Sequence, residues 1–198
     1  MVRVKKGGEE MIKRIFMDVE TTSLIKERTG LWQLGGIIEC GKRQREFNFK
    51  CDIFDEDDVN PDTLKMHNLT IDQLAKLPDP TEVFEEFQAL LASYVDRFDK
   101  QDKFYFINFG AEFDSEVVRQ WFLKNGDEFY GSWFWHPPID IMPLAMQDLI
   151  GKRHELKNFR LDSVCRYYGI EVDDEKIHDA LYDAIIAREL YRRVVGEK

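Results

Sequence analysis

The chain has 198 residues, 43% of them hydrophobic and 13% aromatic, enough for a sizeable core and most simply one domain. A formal net charge of −10 excludes broad electrostatic binding to nucleic acid through many Lys and Arg contacts, unless metal ions supply the positive charge locally. No run reaches the roughly 18–20 apolar residues of a membrane span, and the first residues, MVRVKKGGEEMIKR, lack the apolar stretch of a secretory signal. Three cysteines (Cys40, Cys51, Cys165) without C-x-x-C spacing suggest neither a disulfide framework nor a zinc site, so the expectation is a soluble cytoplasmic protein with no membrane partner.

Residues 1–13 read as an N-terminal extension and 14–195 as a single domain. Residues 14–20 form a first strand, LWQLGGIIECG (31–41) a second, and QREFNFKCDIF (44–54) a third after a Gly-Lys-Arg turn, giving an antiparallel meander. The acidic DIFDEDDVNPD that follows reads as a solvated loop. It fails the EF-hand pattern, which wants an oxygen ligand at Val59 and glycine at Asn60. TIDQ (70–73) is a capping box, and DPTE (79–82) supplies Asp79 as N-cap and Pro80 in the first turn. The long helix after it carries Phe84, Phe87, Leu90, Leu91, Tyr94, Val95 and Phe98 at helical spacing, so these residues are expected to face the core.

KFYFINF (103–109) reads as a buried strand and EFDSEVVRQWFLKNG (112–126) as a helix ending at Asn125-Gly126. IDIMPLA (139–145) is a short strand entering a helix that stops near Gly151. A basic segment, a helix over 160–170 and a last helix from about Asp179 to Val195 complete the chain. The β-α-β-α alternation after residue 100 predicts an α/β fold, a mixed sheet with helices packed on it.

Four features bear on chemistry. Asp18 and Glu20 share one face of the first strand, roughly 6–7 Å apart along the backbone. Asp114 stands where a strand gives way to a helix, and His178 and Asp183 lie near the start of the last helix. Each alone has an ordinary reading: a D-x-E pair on a solvent face, an Asp near a helix start as a cap, a His-x4-Asp by chance. Residues five apart on an ideal helix differ by about 140°, so His178 and Asp183 cannot face one site from the same helix. Asp183 is therefore expected on the inward face with Ile186, Leu190 and Val194, and His178 in the preceding loop.

Gathered in a partly dehydrated cleft, Asp18, Glu20, Asp114 and Asp183 would require either proton uptake or cation binding. All-oxygen ligation suits Mg²⁺ or Mn²⁺. Two such ions about 4 Å apart can clamp a phosphodiester, lower the pKa of a water and stabilise the departing oxyanion. A histidine with an ordinary pKa near 6.5 can take the proton from that water.

DVETTSL (18–24), NFGAEFD (108–114) and HDALYDA (178–184) resemble, in order, the three motifs of the DEDDh branch of DnaQ-like 3′–5′ exonucleases. LWQLGGII, NPDTLKMHNLT (60–70) and LDSVCRYYGI (161–170) are similar to intervening family segments, and the likeness spans about residues 14–192. It implies a ribonuclease-H-like fold, with a mixed sheet whose first three strands are antiparallel and whose later strands are parallel. It further implies Asp18, Glu20, Asp114 and Asp183 as ligands of two Mg²⁺ ions that Mn²⁺ can replace, and His178 as general base. Thr21, Thr22 and Leu24 would meet the 3′-terminal nucleotide, and Asp62 and His67 match positions that approach substrate, although His67 reads equally as a polar residue fixing a loop. One departure stands out: the usual His-Asn of the second motif is Phe109-Gly110 here, which touches local packing and leaves the carboxylate in place.

The resulting expectation is an enzyme acting on nucleic acid 3′ ends, single-stranded DNA before RNA, with a polymerase or another replication or repair protein as partner. The alternatives are an exoribonuclease of oligoribonuclease type and a non-catalytic module on the same fold. Lys152, Arg153, His154, Lys157 and Arg160 suit phosphates beside a cleft and suit a charged solvated loop equally. Trp121, Phe122, Trp133, Phe134 and Trp135 offer rings for base stacking, although aromatic clusters are more often core.

Overall fold

The computed structural model describes residues 11–197, so residues 1–10 of the expected N-terminal extension lie outside the described residues. β1 (Lys13–Thr21), β2 (Leu31–Cys40) and β3 (Arg43–Lys50) form the antiparallel meander. On its other side β1 pairs in parallel with β4 (Tyr105–Asn108), and β4 in parallel with the two-residue β5 (Ile139–Asp140). The order β3-β2-β1-β4-β5 puts β1 in the middle of the sheet. Seven α-helices are described: α1 (Pro61–Met66), α2 (Ile71–Leu74), α3 (Pro80–Ala92), α4 (Ala111–Lys124), α5 (Ile141–Asp148), α6 (Leu161–Tyr167) and α7 (Ala180–Val195). Among the described residues no helix is long and apolar enough to cross a membrane.

The two faces of β1 enter different cores, as its side-chain alternation requires. Ile15, Met17 and Val19 join the cluster that takes Phe84, Phe87 and Leu91 from α3 and Val117, Val118 and Trp121 from α4. Phe16 joins the cluster built from α5, α6 and α7, including Ile141, Val164, Ile186 and Leu190. Asp18 and Glu20 continue the Phe16 face toward the carboxyl end of the strand.

α7 runs antiparallel to β1 along that face. Arg14 donates to both carboxylate oxygens of Glu197, each at 2.7 Å, and the Phe16 and Tyr191 rings meet edge to face at 5.6 Å. From Phe16 to Glu20 the strand advances about 13 Å. From Tyr191 back to Asp183 the helix covers about 12 Å, so the same alignment delivers Asp183 beside Glu20. Close approach of α7 to the sheet depends on Gly35 of β2: a Cβ there would stand 2.2 Å from the Leu181 backbone nitrogen.

Several expectations need correction. The long helix ends at Ala92, which leaves Tyr94, Val95 and Phe98 beyond it; Val95 is buried, but Phe98 is 89% exposed and faces no core. β3 stops at Lys50: the Cys51 N–H still donates to the Trp32 carbonyl of β2, but the Asp52 N–H donates to the Pro78 carbonyl instead. The helix expected over 160–170 is confined to α6. The acidic stretch is not wholly solvated, since the Asp57 side chain is 1% exposed and ion-pairs with Lys124. Trp121, Phe122, Trp133 and Phe134 are buried core residues with no ring face free for a base, and Trp135 is half-buried against Tyr105. α1 went unread although Asn60 caps it, accepting from the Asp62 N–H at 2.9 Å, with Pro61 in its first turn.

The Gly35 contact predicts that Gly35→Ala lowers stability by about 2 kcal/mol through overpacking. Gly131→Ala, where a Cβ meets nothing within 4 Å, serves as the near-neutral control. Urea unfolding of the two variants side by side checks this, and equal midpoints would contradict the tight α7 seat.

Candidate active site

Three elements converge at the carboxyl end of β1. The strand presents Asp18 and the buried Glu20, the first turn of α4 presents the buried Asp114, and the first turn of α7 presents Asp183. Asn108, the last residue of β4, ties two of them together: its side-chain amide donates to Asp18 Oδ1 at 2.8 Å and to Asp114 Oδ2 at 2.7 Å. His178 lies in the loop before α7 with φ of +69°, a left-handed conformation that histidine adopts more readily than most residues. Its backbone N–H donates to Asp183 Oδ2 at 3.3 Å. Glu20, His178 and Asp183 each offer a ligand atom, all within 4.8 Å of one another.

The electrostatics follow from enclosure. Burial is the leading cause that raises the pKa of every one of the four carboxyls, and neighbouring cluster members raise those of Asp18 and Glu20 further. Asp18 is driven well above its ordinary range by burial and then by Asp114, Glu20 and Asp183. Burial, Asp183 and Asp114 push Glu20 up to about 9. Burial pushes Asp114 up to about 7 against the opposing Asn108 hydrogen bond, and Asp183 up to about 7 against the His178 N–H. Among the described residues no Lys or Arg forms an ion pair with any of the four; His67 Nε2, 3.5 Å from Glu20 Oε2, is the nearest basic group. Asp183 Oδ1 is buried with no hydrogen-bond partner. Crowded oxygens, an orphaned carboxylate atom and the lack of a Lys or Arg ion-pair partner among the described residues fit a hard divalent cation.

The expected substrate contacts separate into groups. His67 caps α1 and reaches the cluster, its ring 5.9 Å from that of His178. Burial, and then His178, lowers its pKa. Leu24 is 78% exposed just beyond β1, free to meet a ligand. Thr22 is fully buried, and its hydroxyl donates to the Asp58 carbonyl at 2.6 Å and accepts from the Gly30 N–H at 2.9 Å. The Thr21 hydroxyl donates to the Ser23 carbonyl at 2.8 Å. Both threonine hydroxyls therefore hold the loop together. Asp62 is exposed in the first turn of α1, and its backbone N–H is capped by the Asn60 side chain.

Two supporting groups were missed. Asn108 was quoted in its motif without a role; a polar residue ending an otherwise apolar strand was the available signal. Gln33, buried in β2, donates to Asn48 Oδ1 at 3.0 Å and to Asp179 Oδ2 at 2.8 Å, while Asp179 Oδ1 accepts the Tyr182 N–H at 3.1 Å and caps α7. The Phe109-Gly110 departure also has a local account. Gly110 begins α4 in a left-handed conformation, φ +85°, its N–H donating to Asp140 Oδ1 at 2.8 Å. Asparagine, usual at that position, also tolerates this conformation. Phe109 packs against Phe159, with ring centroids 6.0 Å apart.

Residues 15–191 match the exonuclease family of the RNase T type, and the chain belongs to that family. It is a DEDDh-type, DnaQ-like 3′–5′ exonuclease domain of ribonuclease-H-like fold. The DNA polymerase III subunit epsilon of Pasteurella multocida (strain Pm70) is 26% identical over 194 residues, 93% of this chain and 68% of that subunit. The PolC-type DNA polymerase III of Ureaplasma parvum serovar 3 is 24% identical over 178 residues, 90% of this chain and 11% of that protein. Exonuclease I without ligand superposes with a TM-score of 0.71 at 18% identity, covering 96% of this chain and 43% of that one. E. coli exonuclease I in complex with a dT13 oligonucleotide gives 0.70 at 19% identity, over 93% and 41%. The chain thus spans less than half of the exonuclease I chains whose fold it shares.

Raised carboxyl pKa values make a stability statement. Unfolded carboxyls titrate near 4, so between about pH 4 and 9 the folded, metal-free protein retains protons that the unfolded chain has released. This contribution to stability is full below the unfolded value and is lost as pH rises through the folded values. In chelator, the urea midpoint is expected to fall between pH 5 and pH 9, and Asp183→Asn is expected to flatten that fall. A midpoint that holds level or rises would contradict the enclosed acid cluster.

Proposed function

We propose that this chain hydrolyses phosphodiester bonds at the 3′ ends of single-stranded DNA by a two-metal-ion mechanism, releasing nucleoside 5′-monophosphates. Residues 14–195 are its exonuclease domain. The observation that carries the reading is the meeting of Asp18, Glu20, Asp114 and Asp183 in one cleft without a Lys or Arg partner among the described residues. The four would hold Mg²⁺, with Mn²⁺ able to replace it. When bound, such ions supply positive charge to the scissile phosphate and the leaving oxygen.

The chain's own residues do the remainder. His178, exposed on its loop, accepts the proton of the attacking water at its imidazole. Asn108 keeps Asp18 and Asp114 turned toward each other, and the Gln33–Asp179 hydrogen bond holds the start of α7, and so Asp183, against the sheet. Leu24 and His67 meet the terminal nucleotide, the exposed leucine against the base and the histidine beside Glu20. The Thr21–Ser23 turn and Thr22 support that edge through their internal hydrogen bonds. The likeness to a polymerase III epsilon subunit favours DNA over RNA and a polymerase as partner.

Digestion of 5′-labelled and 3′-labelled DNA and RNA oligomers with Mg²⁺, Mn²⁺ or chelator tests the proposal. The expected products are a descending ladder from 5′-labelled DNA, labelled mononucleotide from 3′-labelled DNA, and nothing in chelator. Asp183→Asn is expected to reduce the rate to background, and near wild-type digestion by it would remove Asp183 from the site. His178→Ala is expected to cost about 10²–10⁴ in rate while divalent-ion binding by calorimetry persists. Faster digestion of RNA than of DNA would replace the DNA assignment by the exoribonuclease reading.

A further inference from the structure

We propose that the segment 151–160, between α5 and α6, is a second substrate site: a cationic clamp for the phosphates of the strand on the 5′ side of the scissile bond. This rests on the nuclease reading above and extends it to how an acidic protein holds a polyanion.

The segment carries Lys152, Arg153, Lys157 and Arg160 with His154, against a single carboxylate, Glu155, in a chain of net charge −10. All five basic side chains belong to exposed residues. Among the described residues none of the four cations forms an ion pair, and Glu155 is engaged elsewhere, accepting from the Tyr167 hydroxyl at 2.9 Å. The other arginines on this side of the sheet are neutralised: Arg166 by Asp162 and Asp174, Arg188 and Arg192 by Glu39, Arg193 by Glu189. A fold that pairs those cations leaves this group free for an anion from outside.

The segment is anchored to the cleft. Leu156 is buried in the α5–α7 core. Phe159 packs on Phe109, the residue after Asn108, whose amide holds Asp18 and Asp114. The Arg153 guanidinium lies 5.2 Å above the Phe159 ring and donates to the Leu156 carbonyl at 3.2 Å, which fixes its charge in place before any ligand arrives. At the other end Arg160 is the N-cap residue of α6, whose Val164 and Cys165 are buried in the same core as Leu156. Cations on a segment that packs beside the anionic cleft through Phe159 suit a phosphate backbone that must enter against the repulsion of that cleft.

The test uses the triple variant Lys152→Ala/Lys157→Ala/Arg160→Ala, which spares Arg153 and its packing on Phe159. Two substrates are compared with Mn²⁺ between 50 and 200 mM KCl: a single-stranded dT12, and the 4-nitrophenyl ester of thymidine 5′-monophosphate, which is too short to leave the terminal site. The expected result is a KM for dT12 raised about ten-fold, kcat within two-fold and unchanged kinetics on the ester. The slope of log affinity against log salt should also become shallower by about 2, at roughly 0.7 per lost phosphate contact. A charge-preserving variant, Lys152→Arg/Lys157→Arg/Arg160→Lys, should restore wild-type behaviour. Unchanged KM and salt slope for dT12 in the alanine variant would overturn the clamp. Failure of the nuclease reading is seen separately, as no hydrolysis of either substrate by the wild-type protein. Fluorescence anisotropy of labelled dT12 then decides the clamp: weaker binding by the alanine variant supports it, and equal binding overturns it.

Discussion

The structure is organised around an electrostatic debt: Asp18, Glu20, Asp114 and Asp183 are drawn into one cleft, largely out of water, with no Lys or Arg ion-paired to them among the described residues. Like charges brought together in a low-dielectric site raise one another's pKa values, and burial adds to the effect. Such a cluster exists only because the rest of the fold overdetermines the position of each member. Protons can offset the repulsion in the free protein, and hard cations can replace the protons.

The overdetermination is visible element by element. Asp18 and Glu20 sit on the central strand, where pairing on both sides fixes their direction. Asp114 is set by the left-handed Gly110 at the start of α4, itself held by Asp140 from β5, and by Asn108. Asp183 is set by a ladder of contacts between α7 and β1, from Arg14–Glu197 through Phe16–Tyr191, and by the Gln33–Asp179 bond that closes its top. Gly35 lets that helix lie close enough for the ladder to form. A site built on strands and helices in this way holds its side chains more tightly than one built on loops. His178 is the exception, an exposed loop residue whose freedom suits a proton carrier.

What could be read from the amino-acid order was whatever local periodicity and spacing encode. The alternation of residues 14–20 placed Asp18 and Glu20 on one face, and the 140° argument separated His178 from the Asp183 helix; both match the structure. Partnerships that depend on tertiary contact were not legible. Nothing near Asp57 points to Lys124, 67 residues away, so the acidic stretch read as solvated. Helical spacing continues through Phe98 although the chain has already turned at Ser93, because periodicity carries no information about where a helix meets its end. Thr21 and Thr22 are expected from the motif to meet the terminal nucleotide, yet backbone groups of Ser23, Gly30 and Asp58 engage their hydroxyls. Asn108 was hidden for the opposite reason: its role needs two carboxylates from different elements.

The placement of charge over the whole molecule then acquires a direction. With ten more carboxylates than cations, the surface repels a polyanion at long range, and the cleft repels it most. On the proposed reading, the attraction needed to bind a strand comes from cations in the cleft and from the unpaired basic segment at its rim. The first acts on the terminal phosphodiester, and the second on the chain behind it. Removing either should leave a protein that still folds, since the rim cations belong to exposed residues and the cleft carboxyls can take up protons. Folding and substrate capture are thereby separated in this chain: apolar contacts of β1 with α3, α4 and α7 carry the first, and charges left unmatched by the fold carry the second.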